Sequence, residues 1–377
     1  MNMQRFTPYL GIVAAFAVSA FIVAFSGGVT VLNEPPVVST ASSTISVVPN
    51  ITLPAITLSP ISAPQKKNLP SASASVSTPA AKVTSAPSVS PPKFISSSPS
   101  VSDLLDASAS ALRPALVNII CYVPAGNGLH SMSGSGVIID PKGIILTNAH
   151  IAQYFLLADR GVSCTIRSGS PAVNRYEANL VYISPAWLRA NANVLTQTNP
   201  SGTGEYDFAF LAITKSKTPE ALPSSFPFVP LATVPPASGT PVVIASYGAQ
   251  FLESSQIQSS LFPTIVFGSV KDVFTFVSTT IDILALGGSA AAQEGSSGGG
   301  IAGISGELVG TITTSTTQGT TDTRSLGAIT ASYIRSAYAS ETGQALDLLL
   351  AKSFSVSVID FALQIPALES VLTAHLP

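Results

Sequence analysis

The stretch GSGVIIDPKGIILTNAH, Gly134–His150, holds two short apolar runs separated by a turn-forming tetrapeptide. The runs are rich in isoleucine and valine, which favour strands, and the tetrapeptide DPKG at 140–143 combines residues that favour tight turns. The stretch therefore predicts a β-hairpin. His150 follows its second strand directly, at a position where a loop side chain can face a cleft.

Similar short apolar runs, separated by Gly, Pro and Asn turns, continue on both sides of the hairpin. Together with the hairpin, the runs ALVNIICYV, SCTIRS, RYEANLVYI and DFAFLAI predict six strands, enough for one small barrel. After a proline-rich connector at 221–238, a second set is predicted from TPVVIASYG, TIVFGSVKDVFTFV, TTIDILAL, ELVGTITTS and SLGAIT. Helical patterning is clear only after Ala331. The sequence therefore predicts an all-β fold of two barrels followed by a helix.

The N-terminal stretch Pro8–Asn33 is apolar and uncharged, and it is longer than the roughly 20 residues that span a bilayer. Arg5 precedes it and the next basic residue is Lys66, so the positive-inside rule places the N-terminus in the cytoplasm and the rest outside. The alternative is a signal peptide cleaved after Ala20. Because the apolar run continues past that residue, an uncleaved anchor is favoured. Either segment predicts that the remaining chain is exported.

The region after the anchor is rich in Ser, Thr, Pro, Val and Ala and has no helical or strand period, which predicts a disordered tether. The apolar C-terminal tail is predicted to pack on the barrels as helices or strands, with homo-oligomer contacts as its alternative role. The predicted segments are a cytoplasmic stub with a transmembrane signal anchor (1–33), the tether (34–100), a domain of two barrels (101–340, divided at about 220) and the tail (341–377).

Composition and motifs exclude several classes of partner. The 377 residues carry a net charge of −2 and no basic block, so a nucleic-acid partner is not expected. The sequence has no metal-ligand cluster, glycine-rich phosphate loop or nucleotide motif, so neither a metal nor a cofactor is expected.

A second stretch, QEGSSGGGIAG at Gln293–Gly303, has glycines on both sides of Ser297. Glycines let backbone N–H groups converge on one point, and a serine nucleophile needs such donors together with a base. His150 and Asp207, which opens the run DFAFLAI, could supply the base and its partner. Taken singly, Ser297 could belong to an ordinary Gly/Ser loop, His150 could be a polar loop residue, and Asp207 could be a turn or cap residue. Together, with the first two in one predicted barrel and Ser297 in the other, they predict nucleophilic catalysis.

With these three motifs in the order His, Asp, Ser, the chain resembles the chymotrypsin-like serine proteases over about Ser110 to Tyr338. It most closely resembles their HtrA/Deg-like bacterial branch. The resemblance implies two six-stranded Greek-key β-barrels and an endopeptidase that acts on protein or peptide substrates. Together with the apolar N-terminal stretch, it predicts a membrane-tethered extracytoplasmic enzyme. It assigns Ser297 as the nucleophile, His150 as general base and then acid, and Asp207 as the residue that fixes the histidine tautomer.

The resemblance also assigns the backbone N–H groups of Gly295 and Ser297 to an oxyanion hole. It implies that Thr311-Ile312-Thr313 pairs with the substrate backbone as an added strand. The primary specificity pocket would be built from uncharged residues, namely Ala290, Ala291, Ala292, Thr311, Ile312, Thr313 and Thr314. Because burying a cation without a compensating acid is unfavourable, this pocket predicts cleavage after Val, Ala or Leu and not after Lys or Arg.

The two cysteines are Cys121, in the first predicted strand, and Cys164, in the fourth. The resemblance makes these strands neighbours in the first barrel, and an exported domain permits oxidation. A disulfide between them is therefore expected, with two buried free thiols as the alternative.

The chain departs from the pattern it resembles at several points. Ser296 stands where these proteases usually have Asn or Asp, and Gly300 replaces a usual proline. Only about forty residues follow Tyr338, too few for the PDZ domain that HtrA relatives often carry. Two alternatives to an active protease therefore stay open: a catalytically inactive protease fold that serves as a binding module on the cell surface, and a structural stalk protein.

Overall fold

The computed structural model describes residues 98–125, 128–197, 202–276, 279–315 and 318–376. The predicted membrane anchor and all of the predicted tether except residues 98–100 lie outside the described residues.

The first half of the domain is an antiparallel barrel. Its strands are β1 (Leu116–Tyr122), β2 (Met132–Asp140), β3 (Ile144–Thr147), β4 (Ser163–Ser168), β5 (Val173–Ile183) and β6 (Ala209–Ser216). They form a closed barrel in the order β1-β2-β3-β6-β5-β4, so the predicted six-stranded first barrel is confirmed. The predicted hairpin is the β2–β3 pair. Its turn closes at Gly143, which has a φ of +92° and would place a Cβ 2.8 Å from the ring of Phe226.

A covalent bridge ties β1 to β4 in this barrel. Cys121 and Cys164 lie directly opposite each other in the β1–β4 register. Their sulfur atoms are bonded at 2.06 Å, and no cysteine of the chain is free. The bridge joins strands that are adjacent in the closed barrel, as the expected disulfide requires.

The second half is an open sheet, whose two end strands do not pair with each other. Its strands are β7 (Pro241–Ser246), β8 (Thr264–Ser269), β9 (Asp272–Phe274), β10 (Ile283–Ala285), β11 (Gly300–Gly303), β12 (Leu308–Ser315) and β13 (Leu326–Thr330). The order is β8-β7-β11-β12-β13-β10-β9, so this half has seven strands and is half of a barrel. The prediction of a second closed, six-stranded barrel is therefore wrong in this respect.

The difference arises in the run TIVFGSVKDVFTFV, which was predicted as one strand and forms two. The Val270 N–H donates to the Thr240 carbonyl, beside β7, whereas the Lys271 N–H donates to the Ala285 carbonyl in β10. The chain thus changes partner between these two residues. As a result, β8 and β9 pair with opposite ends of the sheet and not with each other.

A helix that the sequence analysis missed precedes the first barrel. Helix α1 (Val101–Ala115) begins at a capping box, in which the Ser100 hydroxyl and the Asp103 carboxylate each bond the other residue's backbone N–H. Its buried face includes Leu112 and packs on β2, β7 and β11, and so touches both halves. The expectation that clear helix begins only after Ala331 was therefore wrong.

Other helices lie in the connections and in the tail. They are α2 (Ala149–Ala152), α3 (Pro185–Asn191), α4 (Ser254–Ser259), α5 (Ala331–Thr342), α6 (Leu346–Ala351), α7 (Phe354–Ala362) and α8 (Ile365–Thr373). The tail packs on the first barrel, because α7 contacts β5 and β6 and α8 contacts α3. Within the described residues, no single helix is long and apolar enough to span a membrane. The pair α7 and α8 meets the length and composition criteria together, but a 53° bend separates the two helices.

Candidate active site

The imidazole of His150 and the carboxylate of Asp207 form one hydrogen-bonded unit. His150 follows β3, Asp207 precedes β6, and these two strands pair. Nδ1 of His150 lies 2.8 Å from Oδ2 of Asp207, and the His150 backbone N–H donates to Oδ1 at 3.0 Å. The carboxylate is 7 % exposed and the imidazole 27 %. The pair therefore presents the imidazole, and not the carboxylate, to solvent.

The backbone just before Asp207 is held in an uncommon conformation. Tyr206 has a φ of +56°, in the left-handed region that few non-glycine residues adopt. Its N–H donates to the hydroxyl of Tyr333 at 3.0 Å, and burial raises the pKa of Tyr333, which keeps that phenol neutral. The Asp207 N–H donates to the Gly204 carbonyl at 3.1 Å. This tight turn directs the Asp207 side chain inward, toward His150.

Ser297 lies in a loop that both halves of the domain anchor. Its carbonyl accepts from the Ser135 N–H of β2 at 2.8 Å, and the Gly298 N–H donates to the Ile312 carbonyl of β12 at 2.9 Å. Gly298 has a φ of +82°, and a Cβ there would lie 1.9 Å from the Ser135 carbonyl oxygen. Only glycine fits at that position, so the glycine that follows the serine is a geometric requirement.

A short path of contacts links this loop to the His150–Asp207 pair. Thr313 follows Ile312 in β12, and its hydroxyl donates to Oδ2 of Asp207 at 2.7 Å. The structure therefore brings the three predicted residues into one region. Within the described residues, no hydrogen bond joins the Ser297 hydroxyl to the imidazole. Thr313 was predicted as a substrate-binding residue, and its contact with the carboxylate was not foreseen.

The turn before Ser297 carries two backbone N–H groups without a partner. The Ser296 N–H donates to the Gln293 carbonyl at 3.2 Å, and Gly295 has a φ of +89°, a combination that fits a type II turn. In the described part of the chain, the N–H groups of Gly295 and Ser297 donate no hydrogen bond. Such N–H groups are available to a ligand, as the predicted oxyanion hole requires.

The edge of β12 that could accept a substrate strand begins later than predicted. Thr311 and Ile312 pair with β13 on one side. On the other side Thr311 lies opposite Gly300, and Ile312 exchanges hydrogen bonds with Gly298 and Gly299. Both edges are occupied there, so the prediction that Thr311 and Ile312 pair with substrate is wrong. The serine-loop pairing ends at Ile312, so the edge begins at Thr313.

The predicted pocket wall is uncharged and closely packed, but a cation that the sequence analysis missed contacts it. Ala291 and Ala292 are each 0 % exposed. Nη1 of Arg324 donates to the Ala292 carbonyl at 2.9 Å and to Oε1 of Gln250 at 2.6 Å, and Nε donates to the Gly319 carbonyl at 3.1 Å. Arg324 is 5 % exposed. No local pattern in the sequence marks this residue, because its partners come from three separate loops.

The residues described offer no metal centre, since no group of three or more His, Cys, Asp or Glu side chains among them is placed to hold an ion.

The chain is similar to known proteins in its sequence and in its fold. A family model described as "Trypsin-like peptidase domain" matches residues 134–310. Among solved structures, the active form of Rv3671c protease from M. tuberculosis is 19 % identical with a TM-score of 0.41, and the match covers 69 % of this chain and 95 % of that chain. An inactive form of the same protease is 18 % identical with a TM-score of 0.40, and this match covers 63 % of this chain and 95 % of that chain. No curated protein matches the chain. The matched segment 134–310 contains both strand motifs and the serine loop, and over that segment the chain is similar to the trypsin-like serine proteases.

Proposed function

We propose that the chain is an active endopeptidase that cleaves peptide bonds through Ser297, His150 and Asp207. The observation that carries this proposal is the 2.8 Å contact between Nδ1 of His150 and Oδ2 of Asp207. Because an ionised carboxylate only accepts hydrogen bonds, this contact favours the tautomer with the hydrogen on Nδ1, whose Nε2 can accept a proton. The two unbonded N–H groups of Gly295 and Ser297 add the donors that an oxyanion needs.

In this mechanism Ser297 attacks the scissile carbonyl while His150 takes its proton. The negative charge that develops on the carbonyl oxygen is stabilised by the N–H groups of Gly295 and Ser297. Asp207 stabilises the imidazolium, which then gives the proton to the leaving amine. Water hydrolyses the acyl-enzyme by the same steps. The substrate backbone pairs with β12 from Thr313 onward.

The proposed primary specificity is for small or medium aliphatic residues before the scissile bond. The wall at Ala291 and Ala292 is apolar, and the charged side chain that contacts it, Arg324, is a cation. A cation beside the pocket disfavours lysine and arginine in the substrate. Selectivity among aliphatic residues is modest, because one methylene discriminates by only about 1–3 kcal/mol. Profiling against a peptide library tests this, and a dominant preference for Lys or Arg contradicts it.

Activity is tested by peptide hydrolysis with the detergent-solubilised full chain and two adjacent serine variants. Ser297→Ala should lower kcat by about 10⁶-fold, because the nucleophile is lost. Ser296→Ala should keep measurable hydrolysis, because Ser296 is 1 % exposed and its hydroxyl accepts a hydrogen bond from the Ser246 hydroxyl. Near-normal activity of Ser297→Ala contradicts the assignment of the nucleophile.

A second candidate function is a catalytically inactive protease fold that binds other proteins at the cell surface. The observation that favours it is the absence, in the described part of the chain, of a hydrogen bond between the Ser297 hydroxyl and His150. Such bonds are often long before substrate binds, so this geometry is compatible with an active enzyme. A wild-type chain that hydrolyses no peptide and reacts with no serine-directed probe would support the binding module.

The proposed location is the cell membrane, with the N-terminus in the cytoplasm and the protease domain outside, and the branch the chain most resembles is HtrA/Deg-like. The apolar stretch 8–33 and the Cys121–Cys164 disulfide support an anchored, exported domain. Protease shaving of intact cells should release a fragment that begins within residues 34–100. A native N-terminus at Phe21 contradicts the anchor and supports a cleaved signal peptide.

A further inference from the structure

Ser135 lies in β2 between two glycines, and its side chain is available for a role beyond the strand. It is 0 % exposed. Its N–H donates to the Ser297 carbonyl at 2.8 Å, and its carbonyl accepts from the Thr147 hydroxyl at 2.8 Å. Both of these bonds use the backbone, so any residue could make them. These backbone bonds therefore do not explain why the side chain at this position is a serine.

The hydroxyl of Ser135 joins the first barrel to the turn before the nucleophile. The Tyr247 N–H, just after β7, donates to this hydroxyl at 2.8 Å. The hydroxyl in turn donates to the Gly295 carbonyl at 2.8 Å. A serine hydroxyl has one proton, and the bond from Tyr247 occupies an acceptor site, so the proton is directed to Gly295. The bond from Tyr247 is buried and the bond to Gly295 is partly buried, so leaving either unmade is unfavourable.

The two peptide groups that flank Gly295 are each held from outside the turn. The Ala249 N–H donates to the Glu294 carbonyl at 2.8 Å. Because N–H and C=O point in opposite directions in a trans peptide, this bond directs the Gly295 N–H to the other side. Ser135 holds the next peptide through the Gly295 carbonyl. The angles φ and ψ of Gly295 relate these two planes, so the two bonds together maintain its φ of +89°.

Glycine adopts positive and negative φ with similar ease, so the turn has no intrinsic preference for this conformation. In a type I turn φ is negative at the corresponding position, and the preceding peptide group is rotated. That rotation would direct the Gly295 N–H away from the substrate. The Ala249 bond is made by the backbone, whereas the Ser135 bond is made by a side chain that the sequence specifies.

We propose that Ser135 is a positioning residue for catalysis, whose hydroxyl holds Gly295 in the conformation that aims its N–H into the oxyanion hole. This role rests on the proposed function, because the hole matters only if Ser297 attacks a carbonyl. Ser135 is buried, so it does not bind substrate itself. Its contribution belongs to the transition state and not to ground-state binding.

The test is steady-state peptide hydrolysis by the full chain carrying Ser135→Ala. We expect kcat to fall about 10- to 100-fold, less than the loss of a direct oxyanion donor, with KM within twofold of wild type. Affinity for a peptide boronic acid, whose tetrahedral adduct places an oxygen in the hole, should fall in parallel with kcat. The pH profile should keep its shape, because the His150–Asp207 contact is untouched.

Ser108→Ala is the matched control. Ser108 is 2 % exposed, and its hydroxyl donates to the Gly303 carbonyl at 2.7 Å, so its removal deletes a buried serine-to-carbonyl bond outside the turn. We expect Ser108→Ala to destabilise the fold to a similar extent and to keep kcat. Equal kcat values for wild type and Ser135→Ala, or equal losses in the two variants, overturn the positioning role. A wild-type chain without hydrolysis overturns the proposed function, and this role with it.

Ser135→Cys covers the case in which Ser135→Ala does not fold. The thiol has a similar shape and donates only weakly, so it preserves packing while weakening the bond to Gly295. An intermediate loss of kcat at constant KM supports the role. A folded Ser135→Cys variant with wild-type kcat overturns it.

Discussion

The first barrel and the second sheet contribute to the active site in different ways. The first barrel is closed, carries a disulfide between adjacent strands, and supplies both members of the hydrogen-bonded pair of His150 and Asp207. The second sheet is open and contributes Ser297 on a glycine-rich loop. That loop bonds to Ser135 of the first barrel as well as to Ile312 of its own sheet. The acid–base pair thus belongs to one half, whereas the nucleophile is positioned by both.

This difference separates two kinds of variant. Changes at the pair should alter proton transfer directly, and their effects should be large. Changes at contacts between the halves should act through geometry, and their effects should be smaller.

The largest effect in this comparison is expected for Asp207→Asn. The amide keeps the shape of the side chain but favours the wrong histidine tautomer, so kcat should fall about 10⁴-fold. Asp282→Asn is the matched control, because Asp282 is 3 % exposed and its carboxylate accepts from Thr275 and Phe276 outside the site. Asp282→Asn should lower the free energy of unfolding and leave kcat within a few-fold of the wild-type value. Similar kcat losses in the two variants would mean that Asp207 serves the fold alone.

The next effect concerns the closure of the first barrel. Replacing both Cys121 and Cys164 with Ala should lower the free energy of unfolding by about 4 kcal/mol, because the bridge closes a loop with a sequence separation of 43. Chemical denaturation of the oxidised wild type and the double variant measures this. A difference below about 1 kcal/mol would show that the barrel does not depend on the bridge. Two free thiols in freshly isolated, denatured protein would reject the bridge itself.

The smallest effect is expected at the contact from the second sheet to the pair. Thr313→Val removes the hydroxyl that donates to Oδ2 of Asp207 and keeps the side-chain volume. We expect kcat to fall about tenfold, which corresponds to one hydrogen bond to a charged group. Thr165→Val is the control, since Thr165 is 6 % exposed and its hydroxyl contacts Lys217 in the first barrel. If Thr313→Val lowers kcat as much as Asp207→Asn, the pair is not self-sufficient and the comparison between the halves fails.

Features encoded in contiguous residues could be predicted from the sequence. The hairpin that leads to His150 and the strand that Asp207 opens are local patterns of apolar runs and turn residues, and they form as expected. Helix α1 was missed because its buried face is built partly from small residues such as Ser108 and Ala115, which blur the period. Its capping box at Ser100 and Asp103 was a usable signal.

Features that depend on distant partners could not be predicted. The change of partner between Val270 and Lys271 follows from hydrogen bonds to two different strands, so the run looked like one strand. The bond from Ser135 to Gly295 joins residues 160 apart, and nothing near either residue announces it. The same holds for Arg324, whose guanidinium contacts the pocket wall from a separate loop.

The most direct test of the central claim is labelling of the full chain with a fluorophosphonate probe, followed by peptide mapping of the modified serine. The account predicts one modified residue, Ser297, with labelling lost in Ser297→Ala and strongly slowed in His150→Ala, since the imidazole activates the hydroxyl. Labelling of Ser296 instead, or no labelling of the folded wild-type protein, would contradict it.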